Sequence, residues 1–120
     1  MSNINQVVLE GNMIAENAGK SIEQAVCYEL QNIVKVHGAS YHSWHEGYAI
    51  LKEEAEEACE DVMSLKNHLE VELWSNIRHN KSAHDLCQEL HTIKEFAIAL
   101  AEEAIQCAAV CEKFMGTMKE

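Results

Sequence analysis

The chain has 120 residues, enough for one domain with its own core. Nine Lys and Arg against twenty Asp and Glu give a formal net charge of −11, which argues against direct binding to the phosphate backbone of nucleic acids. No stretch approaches the roughly 18 consecutive apolar residues of a membrane span, and the N-terminus lacks the basic and apolar regions of a secretory signal.

The composition favours an all-α fold. Proline is absent and glycine numbers only five, so little interrupts a helix, while Ala, Glu and Leu are plentiful. The five cysteines are an odd number and never form a C-x-x-C pair. We therefore expect reduced thiols in a cytoplasmic protein.

Capping residues predict four helices, near residues 3–18, 21–37, 43–79 and 82–117. Ser21, Ser43 and Ser82 each precede a polar or acidic residue by three positions, as N-caps do. Gly19 and Gly38 stand where C-terminal helix glycines belong. Residues 1–120 form a single predicted domain, in which 1–19 is either a packing helix or a dimerisation helix.

The two later helices are long and apolar on defined faces. The third has a stripe at three- and four-residue spacing, formed by Tyr48, Leu51, Ala55, Ala58, Val62, Leu65 and Leu69. The fourth is apolar nearly all round (FAIAL, CAAVC), so it needs more than one neighbour. With a turn near 79–81, these helices form an antiparallel pair in a four-helix-type bundle that dimerisation completes. The weak pattern at Asn67-His68 leaves open whether 43–79 is one helix or two.

Acidic residues of the two long helices are expected to meet. Glu57 and Glu103 each lie 23 residues from Asn80, and Glu54 and Gln106 each lie 26 residues from it. In an antiparallel helix pair, equal separation from the turn means equal height. Glu54 and Glu57 are spaced i, i+3, so both point the same way, and Glu103 faces them from the other helix.

This pattern predicts a divalent-metal site with Glu54, Glu57 and Glu103 as ligands. Carboxylates gathered at a groove repel one another unless they are protonated or bound to a cation. Oxygen ligands without His or Cys suit Mg²⁺ and also Mn²⁺. The alternative is an ordinary solvated Glu-rich face. Glu29 lies within the apolar stripe of the second helix, where it either reaches solvent, pairs with a Lys or His, or points into the same groove.

Histidine, cysteine and aromatic residues offer weaker hypotheses. The pair His42-x-x-His45, or a helix face with His84, Cys87 and His91, could bind Zn²⁺, but surface or capping roles fit better. A di-iron site is excluded because no histidine follows a Glu by three positions. Nothing places Cys27 beside a histidine that would activate it as a nucleophile. The aromatic residues near the start of the third helix are either core or interface residues or stack on a base: Tyr41, Trp44 and Tyr48.

Two segments resemble the MazG-like nucleoside triphosphate pyrophosphohydrolases, especially short phage-type members. YHSWHEGYAILKEEAEEACEDV is similar to the first metal-binding helix of that family, whose E-E-x-x-E motif matches Glu53, Glu54 and Glu57. EEAIQCAAVCEKF resembles the later helix, where the family's E-x-x-D motif falls on Glu103 and Gln106. The resemblance covers about 41–115.

The resemblance implies an all-α, usually dimeric enzyme that uses Mg²⁺ to hydrolyse a nucleotide between the α- and β-phosphates, releasing a monophosphate and pyrophosphate. It makes Glu53 a metal ligand or the general base. Gln106, Asp61 and Glu29 are candidates for weak ligands or for hydrogen-bond partners of the ligands. The chain departs from the family where Gln106 replaces Asp and in the longer gap between motifs. The alternative function is therefore a non-catalytic helical interaction protein that kept the bundle.

Overall fold

The structure is a computed structural model that describes the backbone of residues 4–118 and the side chains of residues 16–118. Within that range all regular secondary structure is helical, without strands. Helix α1 spans Ile4–His37 and helix α2 spans Trp44–Asn67. A π-helical turn, His68–Leu73, joins α2 to the short helix α3 at Trp74–Arg78, and α4 spans Ala83–Thr117. The predicted all-α class is confirmed.

Three of the predicted helix boundaries are confirmed by their hydrogen bonds. The hydroxyl of Ser43 accepts from the backbone N–H of Glu46 at 3.1 Å, and that of Ser82 accepts from Asp85 at 3.2 Å. Gly38 ends α1 with a φ of +88°, a conformation that side-chain-bearing residues rarely adopt. Local capping chemistry therefore fixes where α1 ends and where α2 and α4 begin.

The predicted break between the first two helices is wrong. Helix α1 runs without interruption through Gly19 and Ser21, so one helix stands where two were expected. A glycine inside a helix costs only about 1 kcal/mol, and no proline forces an end. The side chains of residues 1–15 lie outside the described part of the chain, and with them most of the predicted packing or dimerisation segment.

Helices α2 and α4 form the expected antiparallel pair. The turn lies where it was predicted: Asn80 has a φ of +50°, and the N–H of Lys81 donates to the carbonyl of Asn76 at 3.0 Å. Residues 44–78 form one helical arm, because the π-helical turn continues α2 directly into α3. That turn begins at His68, where the apolar pattern of the sequence weakens.

Helix α4 is the centre of the structure. Both α1 and α2 pack against it, whereas no described Cα of α1 comes within 8 Å of one in α2. Among the residues whose side chains are described, its C-terminal half is consequently the best buried, with Ala109, Val110 and Lys113 at most 3% exposed. The separation of α1 from α2 leaves a groove whose floor is α4.

A single chain is more extended than a compact domain of the same length. Its radius of gyration is 19.4 Å, whereas a compact domain of this length has about 14 Å. Its accessible surface is 9173 Å², against about 6500 Å² for a compact monomer of this mass. Part of the predicted apolar stripe stays exposed, with Tyr48 at 63%, Val62 at 45% and Leu69 at 46%. One chain thus supplies fewer long helices than predicted, because α1 replaces two of them, and completion of a four-helix-type bundle by dimerisation stays a prediction.

Gly47 fixes how closely α2 approaches α4. A Cβ added there would lie 2.9 Å from two ring carbons of Phe114. We expect Gly47→Ala to destabilise the fold by about 1–3 kcal/mol, since the ring has to move. Gly19→Ala is the matched control, because its Cβ would meet nothing within 4 Å, and it should stabilise α1 by about 0.5–1 kcal/mol. Urea unfolding at one protein concentration measures both. Equal effects of the two substitutions would contradict this packing.

Candidate metal site

The face of α2 that packs on α4 carries acidic residues. Half-buried positions recur there at three- and four-residue spacing: Ile50, Glu54, Ala58, Asp61 and Leu65. This face is rotated from the apolar stripe that the sequence predicted, part of which remains exposed. Helix pairing therefore directs carboxylates into the contact between two helices instead of into solvent.

Three carboxylates converge at this contact. Oxygen atoms of Glu54, Glu57 and Glu103 all lie within 4.8 Å of one another. Glu54 and Glu103 are half-buried and Glu57 is exposed. These are the three residues that the sequence proposed as ligands. They form the only group of three or more His, Cys, Asp or Glu side chains with such spacing in the described part of the chain. The group is called the acidic cluster below.

Gln106 closes the acidic cluster from α4 and lies at the height of Glu54, as their equal separation from Asn80 predicts. The amide orientation that satisfies its neighbours lets Nε2 donate to Glu54 Oε2 at 2.9 Å and to Glu103 Oε2 at 3.3 Å. Gln106 thus presents hydrogen-bond donors to the carboxylates. Of the two roles that the sequence left open for Gln106, weak ligand or hydrogen-bond partner of the ligands, this amide orientation corresponds to the second.

The pKa of each carboxyl in the acidic cluster is raised above its ordinary value of 4.5. For Glu54 the main cause is partial desolvation, followed by the charge of Glu57. For Glu57 the causes are its hydrogen bond with Glu103 and the charge of Glu103. For Glu103 desolvation comes first, and the charge of Glu54 adds to it. Without a cation, ionising all three groups is therefore unfavourable.

The other predicted acidic residues surround the acidic cluster. Glu53 is exposed and lies outside the group of three, although its charge contributes to the raised pKa of Glu54 and Glu57. Asp61 is half-buried on the same face of α2, and its charge contributes to the raised pKa of Glu103. Glu29 of α1 lies in the groove wall together with Glu54. None of these three residues belongs to the group whose ligand atoms all lie within 4.8 Å of one another.

The alternative zinc ligands do not assemble. His42 and His45 are exposed, and His84, Cys87 and His91 form no ligand group in the described range. Nε2 of His84 instead lies 3.1 Å from the side-chain nitrogen of Gln88. All five cysteines are free thiols.

A cavity adjoins the acidic cluster and contains residues that the sequence analysis did not select. It has a volume of about 400 Å³, lies in the groove between α1 and α2, and is lined by Glu54, Gln106, Tyr41 and Lys113 among others. Lys113 is 3% exposed, and its ammonium lies 4.2 Å from the centre of the Tyr41 ring. The signal available in the sequence was a lysine between Val110 and Phe114, inside an apolar run.

No helix in the described residues is both long and apolar enough to cross a membrane. Comparison of the chain with protein-family models, curated proteins and solved structures finds no significant match. Function must therefore be argued from the residues and their geometry.

Proposed function

We propose that the protein is a Mg²⁺-dependent nucleotide pyrophosphohydrolase, which cleaves a nucleoside triphosphate into a monophosphate and pyrophosphate. The observation that carries the proposal is the convergence of Glu54, Glu57 and Glu103 from two facing helices. The MazG-like resemblance of the segments that contain these residues supports it. An acidic chain with a net charge of −11 needs a cation to hold a polyphosphate.

The acidic cluster fits a small divalent cation. Two oxygens that bind one Mg²⁺ at about 2.1 Å are at most about 4.2 Å apart. The cluster oxygens lie within 4.8 Å, so small side-chain rotations bring them into range. The ligand set contains only hard oxygen donors, which suits Mg²⁺ and also Mn²⁺. Glu54, Glu57 and Glu103 would hold the ion, which would neutralise phosphate oxygens and lower the pKa of a water molecule.

The residues around the acidic cluster have separate tasks in this hydrolysis. A water oxygen attacks the α-phosphorus, forming one P–O bond while the bond to the bridging oxygen breaks and pyrophosphate leaves. Glu53, exposed beside the acidic cluster, is the proposed acceptor of the water proton. Gln106 holds Glu54 and Glu103 in place through its amide donors. Glu29 and Asp61 add negative charge around the cluster and favour its cation-bound state.

Product analysis tests this proposal. The purified chain is incubated with each common nucleoside triphosphate and Mg²⁺, and the products are separated by anion exchange. We expect monophosphate and pyrophosphate in equal amounts, and none when EDTA replaces Mg²⁺. Release of inorganic phosphate with a diphosphate would indicate cleavage at a different bond. No turnover of any triphosphate with Mg²⁺ or Mn²⁺ would reject the enzymatic function.

A second candidate function is that of a non-catalytic helical interaction protein. Gln106 favours it, because its amide satisfies two carboxylates without any metal. In that case Gln106 stands in place of an acidic metal ligand. The bundle then serves only to present its exposed apolar faces for interaction. Mg²⁺ distinguishes the two functions: a binding site raises the melting temperature as the ion is added, whereas a self-satisfied cluster does not respond.

The proposed enzyme is a cytoplasmic homodimer. The excess accessible surface of a single chain and its exposed Tyr48, Val62 and Leu69 support self-association, since monomers rarely leave such faces uncovered. Free thiols are consistent with a reducing compartment. Sedimentation equilibrium at micromolar concentration should give twice the chain mass of 13.5 kDa or a multiple of it. A monomer at that concentration would remove the oligomer from the proposal.

A further inference from the structure

The cavity between α1 and α2 is continuous with the acidic cluster. Glu54 and Gln106 belong both to the cavity wall and to the cluster. Its volume of about 400 Å³ lies within the range of small-molecule sites. A nucleotide that places its phosphates at the acidic cluster can therefore extend its sugar and base into the adjoining cavity.

Lys113 is an unusual component of this cavity. It is 3% exposed, and no carboxylate oxygen of the described residues lies within 4.0 Å of its Nζ. The ammonium still meets the cavity, since the described residues contain no side-chain nitrogen or oxygen that is both buried and without a hydrogen-bond partner. It also lies over the face of Tyr41, 4.2 Å from the ring centre, in a cation–π contact. An oxygen atom of a ligand in the cavity would accept a hydrogen bond from this ammonium.

The surroundings of Lys113 are held by specific contacts. The N–H of Tyr41 donates to the hydroxyl of Thr117 at 3.0 Å, and that hydroxyl donates to the carbonyl of Lys113 at 2.9 Å. The Tyr41 ring also meets Phe114 edge to face, with ring centres 6.2 Å apart. The ring and the ammonium are thus positioned before any ligand arrives, which lowers the entropic cost of binding.

The position of Lys113 indicates which part of a nucleotide it contacts. It follows Gln106 by seven residues, or two turns, so it lies about 10 Å further along the same face of α4. With phosphates at the acidic cluster, this end of the cavity receives the edge of the base farthest from the sugar. That edge carries position 4 of a pyrimidine or position 6 of a purine.

We propose that Lys113 selects nucleotides with a carbonyl group at that edge, namely uracil, thymine, guanine or hypoxanthine, over cytosine and adenine. A carbonyl oxygen accepts a hydrogen bond from the ammonium, whereas an exocyclic amino group offers it only another donor. The nucleotide nature of the ligand rests on the proposed function. The selection itself is a property of Lys113 and its cavity.

Acidic residues in the same cavity would favour the opposite choice. Glu29 and Glu46 line it and could accept hydrogen bonds from an amino group. Both are half-buried carboxylates, which water reaches when no ligand donor does. Lys113 has a buried stem and an ammonium held against the Tyr41 ring, so a hydrogen bond from it to a ligand oxygen requires little further ordering. The preference should therefore follow Lys113.

Binding of free nucleosides tests this inference without metal, phosphate or hydrolysis. Calorimetry in EDTA compares uridine with cytidine, and guanosine with adenosine. We expect at least about tenfold tighter binding of uridine and guanosine, the usual effect of one charged hydrogen bond. In Lys113→Met, which keeps the length and removes the charge, both preferences should fall below about twofold. Lys94→Met, an exposed change on the same helix, should leave them unaltered.

The outcomes separate this inference from the proposed function. Equal binding within each pair, a preference for the amino partner, an unchanged preference in Lys113→Met, or no nucleoside binding would each overturn the role of Lys113. If pyrophosphate were released without any preference for carbonyl-bearing bases, the proposed enzymatic function would stand and only the base selection by Lys113 would be rejected. Should Lys113→Met not fold, the wild-type Nζ signal of Lys113 gives a second measurement by NMR. It should shift with uridine and not with cytidine, and a shift with both would overturn the inference.

Discussion

Glu57→Gln is expected to abolish both stabilisation by Mg²⁺ and nucleotide hydrolysis while leaving the metal-free fold intact. Glu57 is exposed, so its replacement disturbs no packing, but the acidic cluster loses one of its three charges. Mg²⁺ at about 100 times its Kd should stabilise the wild type by about 2.7 kcal/mol, or roughly 10 °C in melting temperature. The variant should show almost none of this shift, and at least about 100-fold less pyrophosphate release.

The pH dependence of the same variant gives an independent measure of the acidic cluster. The folded pKa values of Glu54, Glu57 and Glu103 are raised above 4.5, so the folded chain keeps protons that the unfolded chain loses. The cluster's contribution to stability is therefore fully present below about pH 4.5 and is lost as the pH rises through the raised values. In Glu57→Gln, stability should fall less as the pH rises through this range. Saturating Mg²⁺ should reduce the same fall in the wild type.

Glu102→Gln is the matched control for both measurements. It removes the same charge one residue before Glu103, from an exposed position outside the acidic cluster. It should retain the Mg²⁺ response, the pH profile and the hydrolysis rate of the wild type. Melting curves at fixed protein concentration, with and without Mg²⁺, provide the comparison. Indistinguishable responses of Glu57→Gln and wild type would contradict a metal site at this position.

Gln106→Asp is expected to have opposite effects with and without metal. In the metal-free protein it removes the amide donors to Glu54 and Glu103 and adds a fourth charge, which should destabilise the fold by about 1–2 kcal/mol. With Mg²⁺ it supplies a further anionic oxygen, and affinity should rise at least about tenfold. Pyrophosphate release should increase as well. Calorimetric titration with Mg²⁺ and urea unfolding in EDTA measure the two effects.

The control for this substitution is Gln106→Asn, which shortens the side chain equally and adds no charge. It should lose part of the metal-free stability and gain no affinity for Mg²⁺. If Gln106→Asp left metal affinity and hydrolysis unchanged, residue 106 would play no part in the site. The same result would argue that the amide donors of Gln106 serve only to hold the two helices together.

Local signals in the sequence determined the fold class and most helix ends. The serine caps and Gly38 act through hydrogen bonds within four residues, so their effects are visible in the sequence itself. Gly19 and Ser21 carry the same signals, yet no helix ends or begins at either residue. A helix continues through a weak position when its flanking turns are stable. A cap residue therefore permits a helix end but does not impose one.

The sequence also determined which residues are near one another across the helix pair, because antiparallel geometry is fixed once the turn is placed. It did not determine which face of α2 turns toward α4. In a regular helix, the separation of 19 positions from Glu54 to Leu73 would leave these two side chains about 100° apart. The π-helical turn at His68–Leu73 takes up about one extra residue and returns both to the same face.

The cavity with Lys113 and the exposed apolar faces depend on the tertiary structure alone. The cavity exists because α1 and α2 both lie on α4 and not on each other, an arrangement without local sequence signal. A lysine beside a glutamate looks like a residue that reaches for solvent, and only the tertiary packing, with Tyr41 against its ammonium, buries most of the side chain. Periodicity assigns residues to one face of one helix, whereas burial depends on the helices that cover that face.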